Sequence, residues 1–348
     1  MSSIRKTLEE DEIRVSAPCR IDAGGTWDIK AMALPFEDIS PTTVNMAINL
    51  RTEVWLRPFD DRAIKIHSKG FEPKLFIMDN LSFEPPYGLF IAAVRLFGCH
   101  GMEIKILSGA PVQSALGGSS TALVALIKAL SEAKKRLSGK GMKAEEILHL
   151  SYHIEDAISG GNCGAQDQGA GIYGGVNQWI WNYSRPVFFK RIPLLNIHAQ
   201  KELSERLLVV YSGKRHVSSI TNQRWIKDFL SGKTQKGWIR ANEAAHRFAI
   251  ALKERDWQGA IRHINEETEI RMDITPDAFI PVTEKLINQA RECRCGARFA
   301  GAGAGGSVWA IGEREDIKAL KSVWQDTISD IKDARILDCK IDPEGLKI

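Results

Sequence analysis

No uninterrupted apolar stretch in this 348-residue chain approaches the length of a membrane span, and no internal repeat or long low-complexity tract interrupts it. An excess of one charge is missing too. Its 47 Lys and Arg are scattered among 43 Asp and Glu, leaving a formal net charge of +4. That excludes a basic stripe for nucleic acid, but not a small anionic ligand. Cysteine is sparse: Cys19, Cys99, Cys163, Cys293, Cys295 and Cys339 are dispersed, and Cys293-x-Cys295 lacks the second half of a zinc motif. They read as buried or free thiols. The opening MSSIRKTLEEDEIRVSAP is charged where a secretory leader needs its apolar core. A cytoplasmic protein with no membrane and no nucleic-acid partner is the expectation.

The chain is long enough, at 44% hydrophobic residues, to build about two ordinary domains. Its opening is β-rich, with a strand over 13–21, a turn at Ala23-Gly24-Gly25, and strands over 45–56 and 102–107. Leu123, Leu126, Ile127 and Leu130 recur at helical spacing, predicting a helix over 119–135. Ile147, Leu150, Ile154 and Ile158 do the same for 143–159, which Gly160-Gly161 should stop. After a strand over 206–211 the periodicity turns helical around 220–230, 238–254, 257–271 and 280–292. Residues 296–312 read as a Gly/Ala loop leading into a strand over 307–311, and 316–324 as a late helix. The change in character places a boundary near Lys201, giving domains 1–200 and 201–348.

Three segments carry chemistry. The first runs from Pro111 to Ala122, where Ser114, Ala115, Leu116, Gly117, Gly118, Ser119, Ser120 and Thr121 form a glycine-containing loop opening an apolar-periodic helix. The first N–H groups of a helix have no internal partners and carry partial positive charge, and glycine lets a triphosphate approach the backbone. Ser119 and Ser120 add hydroxyls for phosphate oxygens or Mg²⁺. An ordinary capped helix start has the same look, so the neighbouring segments must decide.

The second segment holds Glu155, beside the apolar stripe of its helix, and Asp167, after a Gly-rich turn. A carboxylate at an interior edge is costly without a cation, and a Mg²⁺ shared by Glu155 and Ser120 would supply one. Phosphoryl transfer commonly uses an acid to orient or deprotonate the attacking hydroxyl, the role expected of Asp167. Alone, each acid also reads as a solvated surface carboxylate.

The third segment is the bare loop of Gly301, Gly303, Gly305 and Gly306. It matches G-x-G-x-x-G but leads into the strand-like Val308-Trp309-Ala310-Ile311, so a dinucleotide fingerprint is rejected. Packing of this loop against the phosphate loop or the nucleotide is expected, with a tight structural turn as the plain alternative. Gly232-Lys233-Thr234 also fails as a Walker A motif, because Lys227 stands where the first glycine belongs.

In this order and near these separations, the segments resemble those of the GHMP kinases. Ser114-Ala-Leu-Gly-Gly-Ser-Ser-Thr-Ala122 is similar to that family's P-x-x-x-G-L-G-S-S-A-A motif. Ala17-Pro-Cys-Arg-Ile-Asp-Ala-Gly-Gly-Thr-Trp-Asp28 and Gly164-Ala-Gln-Asp-Gln168 resemble its sugar-kinase branch, especially fucokinase and heptose-phosphate kinase. Tyr211-Ser-Gly213-Lys-Arg215 resembles that branch's Y-T-G-x-x-R segment.

The resemblance implies a two-domain α+β fold, with an N-terminal domain like the second domain of ribosomal protein S5 and a ferredoxin-like C-terminal domain. It implies ATP and Mg²⁺, with Asp167 and Arg20 catalytic and Ser120 and Glu155 at the metal. Asp28, Asp22, Gly164, Asp167 and Tyr211 become candidates for substrate binding. The implied acceptor is a sugar or sugar phosphate, such as fucose or a heptose phosphate, phosphorylated at the anomeric hydroxyl; a homodimer is compatible. The alternatives are a GHMP kinase for a non-sugar alcohol and a catalytically silent sugar sensor.

Overall fold

The computed structural model describes residues 2–24, 26–216 and 218–348. Gly25, in the expected turn, lies outside the described residues. The first half is built on a seven-stranded sheet. Its long strand Thr42–Pro58 pairs antiparallel with Ile13–Ala23, Met102–Ser108 and Val176–Trp181. Along Ile13–Ala23 the side chains alternate faces. Cys19, Ile21 and Ala23 enter a core shared with the second half, whereas Arg20 and Asp22 share the opposite face and are buried there. The register shifts between Pro18 and Cys19, where proline lacks the N–H a regular ladder needs.

The predicted phosphate-loop helix is Gly118–Ser138, and its stripe Leu123, Leu126, Ile127 and Leu130 is fully buried. The predicted second helix is Ala144–Ile158. Between it and the next strand lies a helix absent from the sequence expectation, Gln166–Tyr173. Its Gly169 and Gly171 lower helix propensity and hide it from periodicity. Packing nevertheless requires Gly169, because a Cβ there would stand 2.8 Å from the Trp179 ring.

The second sheet has the order Gly296–Phe299, Ser307–Ile311, Leu207–Tyr211, Arg335–Leu337, antiparallel throughout, which is the expected ferredoxin-like arrangement. Residues 296–299, expected as loop, are a buried strand, so the Gly/Ala loop shrinks to 300–306. Helices Gln235–Glu254 and Trp257–Ile274 pack together against this half, and the late helix spans Arg314–Ile328. A short helix missed in the sequence, Ile197–Ser204, precedes the second sheet. The chain's last residues leave that half: Ile341 bridges to Ile48 and Lys347 to Ser16, and Arg51 pairs with Asp342 at 2.6 Å. The second sheet begins at Leu207, after the expected boundary near Lys201, and the tail beyond Leu337 returns to the first half. Among the described residues no helix is long and apolar enough to cross a membrane. The six cysteines are free thiols.

Candidate active site

A cleft of about 590 Å³ runs over the start of helix Gly118–Ser138, with residues of both halves in its walls. Its floor is the loop 111–117, in which Gln113, Ala115 and Gly117 all take left-handed backbone conformations (φ 55°, 62° and 77°). These successive turns deliver the chain into the helix with no side chain capping its first amides. The N–H groups at that end remain available to an anion. Gly117 is constrained twice, since a Cβ there would also stand 3.0 Å from Asp167 Oδ2.

The C-terminal glycine loop backs this floor. A Cβ at Gly306 would lie 2.6 Å from Ala115 Cβ, and one at Gly301 3.1 Å from the Ala115 carbonyl oxygen. Gly303 and Gly305 pack instead against Ala278 and Arg215. The strand that follows explains why the G-x-G-x-x-G match has no dinucleotide geometry.

Arg20 and Asp167 meet on one wall: Arg20 Nε donates to Asp167 Oδ1 at 2.7 Å, and Arg20 Nη1 to the Ala115 carbonyl at 2.5 Å. The Asp167 side chain, 20% exposed, faces the cleft from the first turn of Gln166–Tyr173. Burial raises its pKa, against the opposing pull of Arg20. Burial also disfavours the charged guanidinium of Arg20, but the charges of Asp167 and Asp22 outweigh it and raise its pKa.

Glu155 stands opposite Ser120. Ser120 Oγ donates to one carboxylate oxygen at 2.9 Å and Gln168 Nε2 to the other at 2.7 Å. Among the described residues no Lys or Arg forms an ion pair with it. Burial lifts its pKa to about 7 despite the Ser120 hydrogen bond, with Asp167 adding to the rise. No cluster of three or more His, Cys, Asp or Glu gathers among the described residues. Mg²⁺ needs none, because it takes one or two carboxylates together with substrate phosphates and water. A carboxylate without an ion-pair partner beside a hydroxyl, next to the uncapped amides of the helix start, fits that ion.

Asp28 is 3% exposed and lines the cleft, accepting from the backbone N–H groups of Gln166 (3.0 Å) and Thr26 (3.2 Å). Burial pushes its pKa up to about 6, partly offset by the Gln166 bond. Gly164 makes room for it, since a Cβ there would sit 1.8 Å from Asp28 Oδ2. Trp27, next in sequence, turns away from the cleft; its ring donates to the Trp238 carbonyl at 3.0 Å and packs edge-on against Phe229. It anchors the segment that presents Asp28.

Two other candidates lie elsewhere. Asp22 is fully buried behind the cleft, accepting from Gly301 N at 2.7 Å and pairing with Arg298 at 3.0 Å. It touches the cleft wall through Gly301 and through Arg20, 3.6 Å away. Tyr211 is a strand residue of the second sheet, paired with Ser307 and Arg335, and is not among the cleft-lining residues. Five residues on, His216 lines the cleft instead. Sequence reasoning also missed Asn162, Asn222, Lys69, Phe71 and Tyr87, which line it from separate loops and helices. Gln168, which donates to Glu155 without lining the cleft, was missed as well, although it lies inside the quoted Gly164–Gln168 motif.

Residues 87–175 match the family model described as GHMP kinases N terminal domain. The chain is 24% identical over 342 residues to a bifunctional fucokinase/GDP-fucose pyrophosphorylase of Arabidopsis thaliana, with 91% of this chain aligned. The chain spans about a third of that plant protein, 31% of its length. It is 27% identical over 298 residues to a mevalonate kinase of Pyrococcus horikoshii, covering 79% of this chain and 84% of that one. The crystal structure of a D-glycero-D-manno-heptose 1-phosphate kinase from Bacteroides thetaiotaomicron superposes with a TM-score of 0.71 over 96% of this chain and 99% of that one, at 19% identity. The fold is thus that of GHMP kinase structures.

Proposed function

We propose that this chain is an ATP-dependent kinase that phosphorylates a hydroxyl of a sugar or sugar phosphate, the anomeric hydroxyl being the favoured acceptor. One observation carries the reading: a carboxylate, Asp167, is held by an arginine that is also bonded to a loop of phosphate-binding geometry. A structural ion pair would have no need of the uncapped helix start and the cleft beside it.

On this reading the triphosphate lies on the amides from Gly118 to Ser120, and the apolar end by Phe71 and Tyr87 takes the base. Ser120 and Glu155 would hold Mg²⁺, which supplies neutralisation of phosphate charge when bound. Asp167 orients the acceptor hydroxyl and takes its proton, for which its raised pKa is suited. Arg20 fixes the Asp167 carboxylate and places a permanent positive charge beside the transferring group. Asp28 accepts hydrogen bonds from acceptor hydroxyls.

ADP release over a panel of sugars, sugar phosphates, mevalonate and homoserine tests this. Turnover with a sugar that Asp167→Asn reduces by about a thousandfold, with ATP binding retained, is the expected result. The similarity to a mevalonate kinase favours a second reading, a kinase for a non-sugar alcohol, and preference for mevalonate would establish it. A silent sugar sensor would bind sugar without turnover; the close placement of Ser120, Glu155 and Asp167 around one loop argues against it.

A further inference from the structure

The acceptor end of the cleft is short of positive charge. Asp28, Glu155 and Asp167 all reach the cleft, whereas the lining Lys and Arg residues among the described residues are Arg20 and Lys69. Neither is placed to receive an acidic group on an acceptor. Arg20 is engaged by Asp167 and the Ala115 carbonyl and lies 3.6 Å from Asp22. Lys69 follows strand Ala63–Ser68, three places across the sheet from the Arg20 strand, which is about 14 Å at ordinary strand spacing.

The polar side chains that the second half brings to the cleft, His216 and Asn222, carry no permanent charge. Asn222 donates to the Asn162 carbonyl at 3.0 Å, so these two cleft-lining amides are tied together from different parts of the chain. His216 is 6% exposed, and its main-chain N–H is fixed to the Gln113 carbonyl at 2.9 Å. Its Nδ1 is buried with no hydrogen-bonding partner in the protein. A buried polar atom left unpaired at a ligand cleft is one that a ligand can satisfy. Burial lowers the imidazole pKa to about 4, and Arg20 works in the same direction against a hydrogen bond to the Gly303 backbone. The ring is therefore uncharged at neutral pH, able to pair with a hydroxyl but not to neutralise an anion.

We infer that the acceptor end selects an uncharged polyol over phosphorylated or carboxylate-bearing acceptors, and that His216 is the residue determining this choice. The inference rests on the kinase reading and narrows its substrate class. A phosphate or carboxylate on the acceptor would add negative charge beside three carboxylates, with Arg20 already engaged by Asp167 and the uncommitted Lys69 three strands away, which is discrimination by repulsion as well as by attraction.

The test compares matched acceptors with the full chain and ATP·Mg²⁺: a free hexose with its 6-phosphate, a free heptose with its 7-phosphate, and a hexose with its hexuronate. The expected result is a kcat/KM for the uncharged member of a used pair at least about tenfold above its partner. His216→Arg should move that ratio about tenfold or more towards the anion, with ATP affinity by calorimetry changed less than about threefold. His216→Gln, which keeps an uncharged hydrogen-bonding group, should preserve the preference and serves if the arginine variant does not fold. A wild type that prefers the charged member, a ratio unmoved by His216→Arg, or a ratio lost in His216→Gln overturns the inference and leaves the kinase standing. If ATP binds but no acceptor turns over, calorimetry with the same pairs decides: tighter binding of the uncharged member supports the inference, and any other result overturns it. Failure to bind ATP sinks the kinase reading itself.

Discussion

Arg20 and Asp167, 147 residues apart in the chain, share a hydrogen bond of 2.7 Å, and the same guanidinium holds the Ala115 carbonyl. One side chain thereby sets the distance between the carboxylate expected to meet the acceptor and the loop expected to meet the phosphates. Lysine has a point charge on a flexible stem and cannot make both bonds in that fixed geometry. Arg20→Lys should lower kcat by about a hundredfold or more with a smaller change in the KM for ATP, read from ADP release. Equal activity would remove Arg20 from the mechanism.

Gly164→Ala places a methyl group where Asp28 Oδ2 already lies, 1.8 Å from the new Cβ. Asp28 must move, so the KM for the acceptor should rise at least about tenfold while ATP affinity holds. Isothermal titration with nucleotide and with acceptor separates the two effects.

Asp28 itself gives a pH signature. Its pKa rises from 3.8 to about 6 in the fold because burial disfavours the anion. The folded state therefore prefers the protonated acid, so this stabilisation is fully present below about pH 4 and is lost as pH rises through about 6. The span is worth about 3 kcal/mol. In Asp28→Asn it disappears, so the stability of wild type minus that of the variant should fall by about that amount between pH 4 and pH 7, measured by urea unfolding without ligands. A difference flat with pH would refute the assignment.

Glu155→Gln keeps the shape of the side chain and removes its charge. The free Mg²⁺ giving half-maximal rate should rise about tenfold or more, while nucleotide binding measured without metal stays near wild type. An unchanged Mg²⁺ requirement would place the ion elsewhere.

Behind the cleft, Arg298 is fully buried between Asp22 (3.0 Å) and Glu267 (2.8 Å), and Arg271 stacks on Trp238 at 4.3 Å beside it. Removing one partner strands a buried charge, so Arg298→Met should cost about 3–5 kcal/mol in chemical unfolding. It should also slow turnover, since Asp22 would lose its grip while lying 3.6 Å from Arg20.

Much of the site was legible because it is local. The helix start at Gly118, the acid on the face of Ala144–Ile158 and the acid after the Gly164 turn each follow from patterns within a dozen residues. Helix Gln166–Tyr173 was not legible, since its glycines are tolerated only because the Trp179 ring demands the space. Tyr211 and His216 show the same limit: the segment was found, but which of its residues reaches the cleft depended on how strand Leu207–Tyr211 sits between its neighbours.

What the residues alone determine here is the glycine loop that opens a helix, the two acids and the alternation that puts Arg20 and Asp22 on one face of a strand. What only the tertiary structure decides is pairing: Arg20 with Asp167, Asp22 with Arg298, Gly164 with Asp28, and His216 with the open cleft. Periodicity and turn chemistry act over a few residues. The partner of a buried charge is set instead by the packing of elements more than a hundred residues apart, which brings together groups that no local pattern relates.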